Sequence, residues 1–164
     1  MSELVGTLLK WLAVALAIAG VFAFAYEVFG AGSSANHAAD IGTLAGKIKT
    51  LYQGQPSFSS VTTAIAYKQA PARMKSATVG TLVNPYNGDV TIAPDTNTSF
   101  FDITTNAVPD KDCQTIATTL SGFTSMTING TTFTTASGID AGAVSSACGT
   151  PGNNTNVLEM TYGH

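Results

Sequence analysis

The sequence predicts an α+β fold, with one long N-terminal α-helix packed on a small antiparallel β-sheet head that carries short helices. Three observations predict it. No proline occurs before Pro56, and apolar residues recur at helical spacing as far as Tyr52. Beyond Ala77 the pattern turns strand-like. Two Asn-Gly pairs, Asn87-Gly88 and Asn129-Gly130, then mark hairpin turns among the strand-like runs.

The first element opens with an apolar stretch. Trp11 to Tyr26 reads WLAVALAIAGVFAFAY, sixteen residues without a charge, and from Leu4 up to Glu27 only Lys10 is charged. A bilayer takes about 20 apolar residues to span, so this run could cross most of one. Lys10 would snorkel or face a neighbouring chain. A cleaved secretory signal would open with basic residues, whereas the first charge here is Glu3. A permanent single-span anchor meets no such objection. A helix that leaves the membrane to pack among other copies explains more, because the helical pattern does not stop at the membrane edge. Val28, Phe29, Ala35, Ala38, Ala39, Ile41, Leu44, Ala45, Ile48, Leu51 and Tyr52 continue at amphipathic spacing. Gly54, with Pro56 beyond it, is the expected stop. A helix from about Ser2 to Gln53 would be about 80 Å long. Its first half is apolar all round and needs lipid or helices on every side; its second half needs a head on one side only. Gly30, Gly32, Ser33 and Ser34 are its weakest helix formers, and both a bend and a close helix approach fit them.

The head follows in order. SSVTTAIAYKQA (59–70) reads as a short helix ended by Pro71. TVGTLV (78–83) and DVTIA (89–93) flank the turn NPYNG, and SFFDIT (99–104) has strand composition. Residues 109–122 read as a helix opened by Pro109 and Asp110 and closed by Gly122. SMTINGTTFTT (125–135) is a hairpin, DAGAVSSAC (140–148) a short helix and NVLEMTY (156–162) a last strand.

Composition excludes several functions. Only 10% of the residues are charged, against about 25% ordinarily. The 45% hydrophobic content still argues for a packed core. The net charge is −3, and the densest basic groups are the pairs Lys47 with Lys49 and Arg73 with Lys75. Direct nucleic-acid binding is therefore not expected. A zinc site from His37, Cys113, Cys148 and His164 would lack a close ligand pair. Asp110 and Asp112 read as a solvated helix N-terminus. No P-loop, GxSxG or GxGxxG is present, so no enzyme and no cofactor is expected. Three glycosylation-type triplets begin at Asn97, Asn129 and Asn153; in a chain this rich in Asn and Thr they read as turns and loops. Two cysteines in a chain that looks exported suggest one disulfide, with two buried free thiols as the alternative.

The layout resembles the type IV pilins, and more closely the type IVb pilins of conjugative thin pili. The matching stretches are LYQGQPSFSSVTTAIA (51–66), TLVNPYNGDVTIAP (81–94), VPDKDCQTIATTL (108–120) and the SSAC, Gly/Asn loop and final strand of 145–162. The resemblance covers nearly the whole chain. It implies a pilin fold, with residues 1–54 as the helix, 1–27 as its membrane or filament-core half, and 55–164 as the head. It implies a Cys113–Cys148 bond enclosing the region exposed on the filament. It also implies an inner-membrane stage, a pilus assembly machinery, and a homo-oligomeric helical filament at the cell surface. Pilins usually carry Glu at the fifth mature position, whereas this sequence has Glu3. Glu3 would meet the N-terminal amine of an adjacent subunit, with Lys10 of a neighbour as the other candidate; the alternative is a helix N-terminal charge at the membrane surface, favoured by the macrodipole. Trp11, Phe22 and Phe24 join them as assembly residues. A major pilin is the leading expectation, and a minor pilin or adhesive tip subunit the alternative. A secretion pseudopilin would carry a calcium-type acidic loop or lack the disulfide.

Overall fold

A helix over residues 32–51 (α1) opens the part of the chain that the computed structural model describes, residues 32–150 and 152–163. The apolar run Trp11–Tyr26 and the assembly candidates Glu3, Lys10, Trp11, Phe22 and Phe24 lie outside the described residues, as does His164. Among the described residues no helix is long and apolar enough to cross a membrane.

α1 buries Ala38, Ile41, Leu44, Ala45 and Ile48 at spacings of three and four, in one core with the sheet. Its opposite face carries small exposed side chains at Ala35, Ala39, Thr43, Gly46 and Thr50, flanked by exposed Asn36 and Lys47. The expected stop is where the chain turns: Gly54 has φ +89°, and Gln55 N donates to Tyr52 O at 2.9 Å. From there Phe58 plunges into the core, and Tyr52, Phe58, Phe101 and Tyr162 form a chain of rings at centroid distances of 5.4, 4.8 and 5.6 Å. A second helix, Thr63–Gln69 (α2), starts four residues later than the periodicity suggests. The turn that buries Phe58, closed by Val61 N to Phe58 O at 2.9 Å, uses up the preceding residues. Thr62 then caps α2 by accepting from Ile65 N. A 3-10 turn, Ala72–Met74, follows and seats Met74 at 1% exposure.

The sheet holds β1 (Leu82–Val83), β2 (Asp89–Pro94), β3 (Phe100–Val108), β4 (Ser125–Ile128), β5 (Thr131–Thr134) and β6 (Asn156–Gly163). The spatial order is β1-β2-β3-β6-β4-β5, with every pair antiparallel. The last strand thus inserts between β3 and β4 and closes the sheet. Two strands differ from expectation. The run 78–83 keeps only Leu82–Val83, because Gly80 at φ +89° turns the chain and Thr81 N bonds to Thr78 O. β3 runs on past Thr104 to Val108 through an irregularity at Ala107, φ 56°. Pairing with β6, rather than the composition of these residues, extends it. Two more helices, α3 (Asp110–Thr119) and α4 (Ala141–Ala147), stand where the sequence places them. Asp140 caps α4 by accepting from Ala143 N at 2.7 Å.

Candidate functional region

The region bounded by the cysteines is built on α3. Cys113, Ile116 and Ala117 form its buried stripe. Cys148 caps the C-terminus of α4. The two cysteines are fully buried and joined in a disulfide, with a Cα–Cα distance of 5.9 Å. The free-thiol alternative is thereby set aside. The bond encloses the β4–β5 hairpin and α4.

Three asparagines fasten the edges of this region. Asn129, in the left-handed conformation of the hairpin turn, donates to Ala147 O at 2.9 Å and Asn156 Oδ1 at 2.7 Å, and accepts from Val157 N at 2.9 Å. Asn153 donates to the same Asn156 oxygen at 3.1 Å, and its own oxygen accepts from Thr155 N and Thr155 Oγ1. Asn156, fully buried, donates to Val108 O at 2.9 Å. The hairpin, the end of α4, the 149–155 loop, β6 and β3 therefore meet in one network. The amide hydrogens of Asn129 and Asn153 hold structure, which supports reading these two triplets as turns.

The face of the sheet turned away from the core is polar. Thr91, Thr104, Glu159, Thr127 and Thr132 stand in register across five strands. Thr127 and Thr132 share a hydroxyl bond at 3.0 Å, and Thr161 donates to Asp102 at 2.7 Å. Partial burial raises the Asp102 pKa, the Thr161 bond opposes the rise, and the charges of Asp95 and Glu159 add to it. This is a hydroxyl-rich, weakly charged surface.

A second polar cluster lies inside. The NPYNG turn is organised by Asn84, whose Oδ1 accepts from Tyr86 N at 3.0 Å and Gly88 N at 2.8 Å. Its Nδ2 donates to Thr105 Oγ1 at 3.0 Å and Asn106 O at 2.6 Å. Thr105 Oγ1 in turn meets His37 Nε2 at 3.1 Å. His37, fully buried on α1, also has its ring edge-on to Tyr86 at 6.3 Å. Burial lowers the His37 pKa from 6.5 to about 4, against an opposing pull from Asp40. Its neutral form is therefore the native one, and the unfolded chain binds the proton more readily between those values. The stability this contributes is complete above pH 6.5 and is lost as pH falls toward 4, by about 3 kcal/mol in all. Thermal unfolding at pH 7 and pH 4.5 should show the loss, and His37→Gln should show a smaller one. An equal acid loss in both proteins would remove His37 as its source.

The remaining candidates fall apart as a site. Both cysteines are committed to each other, and among the described residues no group of three or more His, Cys, Asp and Glu could hold a metal. Lys47 donates to Gln69 O at 3.1 Å, Lys75 lies over the Tyr67 ring at 5.1 Å, and Arg73 pairs with Asp40 at 2.9 Å. Three of the four residues in the basic pairs thus brace the head. Sequence reasoning missed the Asp40–Arg73 and His37–Thr105–Asn84 links. A signal was available, since His37 and Asp40 are polar residues on the apolar face of an amphipathic helix.

A family model described as PilS N terminal matches residues 32–161. The crystal structure of a type IV b pilin from Salmonella typhi resembles the chain with a TM-score of 0.64 at 29% identity, covering 79% of this chain and 99% of that one. No curated protein sequence matches the chain.

Proposed function

The chain belongs to the PilS N-terminal family of type IVb pilins, and on that premise we propose that it is the major subunit of its pilus, polymerising through its apolar N-terminal helix. A type IVb pilin is a structural subunit of a surface pilus and not an enzyme. The observation that carries the major-subunit reading is the match to a type IV b pilin over 99% of that chain. The head here has the size and plan of that pilin's.

The exposed side of α1 supports a helical core. Its small side chains let another helix approach closely. Thr43 and Thr50 turn their hydroxyls back onto Ala39 O at 2.8 Å and Gly46 O at 3.0 Å, leaving methyl groups outward. In this reading the apolar run of residues 11–26 rests in the inner membrane and is then passed by the assembly machinery into the filament. There Trp11, Phe22 and Phe24 pack among neighbouring helices. Glu3 meets the N-terminal amine of the adjacent subunit, with Lys10 as the other partner. Desolvating an unpaired carboxylate in that core would cost several kcal/mol, so the pair sets register as well as contributing attraction.

The test compares pilin in sheared surface fractions with pilin in membranes. Wild-type cells should yield filaments whose repeating subunit is this chain. Glu3→Ala should leave membrane pilin near normal and strongly reduce the sheared fraction, and Glu3→Asp should be milder. Filaments that contain the chain only in trace amount would favour the minor or tip subunit instead. An unchanged yield with Glu3→Ala would remove the pairing role.

A further inference from the structure

Two buried polar residues one helical turn apart on α1 share a single neighbourhood. His37 is fully buried and Asp40 is 6% exposed. The Asp40 carboxylate accepts from Arg73 Nη2 at 2.9 Å, and the rest of Arg73 is largely in solvent. Arg73 belongs to the 3-10 turn that seats Met74 in the core, and the next residue, Lys75, bridges to Leu82 at the edge of the sheet. This short strap, residues 70–75, is therefore tied to α1 through the Arg73–Asp40 pair and through Lys47, which donates to Gln69 O just before it.

The charges around His37 can be enumerated by element. α1 contributes Asp40, whose carboxylate holds Arg73 of the strap at 2.9 Å. The 84–88 turn contributes Tyr86, edge-on to the His37 ring, with its hydroxyl near Asp112 of α3. β3 contributes no charge, only Thr105. His37 Nδ1 has no partner. Asp40 is thus the acid whose field bears on the His37 ring, and its charge is already matched by Arg73. A proton added to His37 would place a second cation beside one buried carboxylate.

We propose that Asp40 couples His37 to the strap: the His37 proton and Arg73 compete for one buried carboxylate, so acid loosens the 70–75 strap from α1. The competition runs in both directions, as any coupling between two binding equilibria must. Burial holds His37 neutral and the Arg73 charge on Asp40 works in the same direction, while a proton on His37 weakens the hold of Arg73. The device gives the head an acid-sensitive seam between α1 and the loop that follows it, separate from the disulfide and from the sheet.

The full-length chain, isotopically labelled and purified in detergent, tests this by nuclear magnetic resonance titration of the His37 ring, with His164 as an internal reference. Arg73→Gln should raise the His37 midpoint by about one pH unit, a tenfold gain in proton affinity. Arg73→Lys keeps the charge and should stay near wild type, and Asp40→Asn should lower the midpoint. In parallel, amide hydrogen exchange in residues 70–76, corrected for the intrinsic pH dependence, should be faster at pH 4.5 than at pH 6.5 in wild type and indifferent to pH in His37→Gln. A His37 midpoint that ignores Arg73→Gln overturns the proposal. So does acid-induced exchange in the strap that persists in His37→Gln. Should Arg73→Gln fail to fold, the Arg73→Lys and Asp40→Asn midpoints and the exchange comparison still decide it.

Discussion

Gly88→Ala is expected to cost the head more stability than any other single-methyl change, at least about 4 kcal/mol. A Cβ at this position would stand 1.9 Å from Asn106 O and 2.7 Å from Asn106 C, with Asn84 Nδ2 at 2.8 Å. The first two are backbone atoms of β3, so no rotamer change relieves the contact. Moving either strand would break the Asn84 bonds to Thr105 and Asn106, and with them the support of His37. Gly130→Ala is the control. Gly130 has φ +87° but nothing within 4 Å of its Cβ position, so strain alone acts there, about 1 kcal/mol. Denaturant unfolding of the two variants beside wild type measures the difference. Equal losses would show that the close approach at residue 88 does not matter.

Replacing both cysteines by alanine is expected to be the next largest loss. The bond closes a separation of 35 residues, which the chain-entropy account values at about 4 kcal/mol. For a domain of this size that corresponds to a fall in Tm of roughly 10–15 °C. Alanine avoids burying new hydroxyls at two fully buried positions. The damage should be local as well as global: α4 and the 149–155 loop should gain hydrogen exchange, while the β2–β3–β6 pairing stays protected until global unfolding. Reduction of wild type should reproduce the effect. A double variant that melts with wild type would mean that the asparagine network and α3–α4 packing already hold the region closed.

The family model spans residues 32–161, a range that includes the motifs legible without it. VNPYNG and the VPxxxC start of α3 are specific because each does a structural task. Asn84 bonds two amides of its own turn and two groups of β3, which no other short side chain could do from that position. Pro109 opens α3 so that Cys113 faces inward one turn later. The same logic made the Asn129-Gly130 hairpin readable. The Asn84 bonds to its own turn and the start of α3 lie within a few residues along the chain and are legible there, whereas the Asn84 bonds to Thr105 and Asn106 and the Asn129 bonds to Ala147, Asn156 and Val157 reach 18 to 28 residues away.

By itself, then, the sequence determined what short-range chemistry decides: the two Asn-Gly turns, the proline-opened helix α3, the apolar stripe of α1 and its stop at Gly54. Beyond the two hairpins, tertiary structure alone decided which strands became neighbours. NVLEMTY reads as a strand, but its place between β3 and β4 depends on pairings that span 48 to 63 residues on one side and 30 to 36 on the other. Those same pairings extend β3 to Val108. The strap at Ala72–Met74 and the Asp40–Arg73 pair belong to this second class too. A polar residue on an apolar helix face is costly until a distant group arrives to satisfy it, and nothing near Asp40 or His37 in the chain announces that Arg73 and Thr105 are the groups that do.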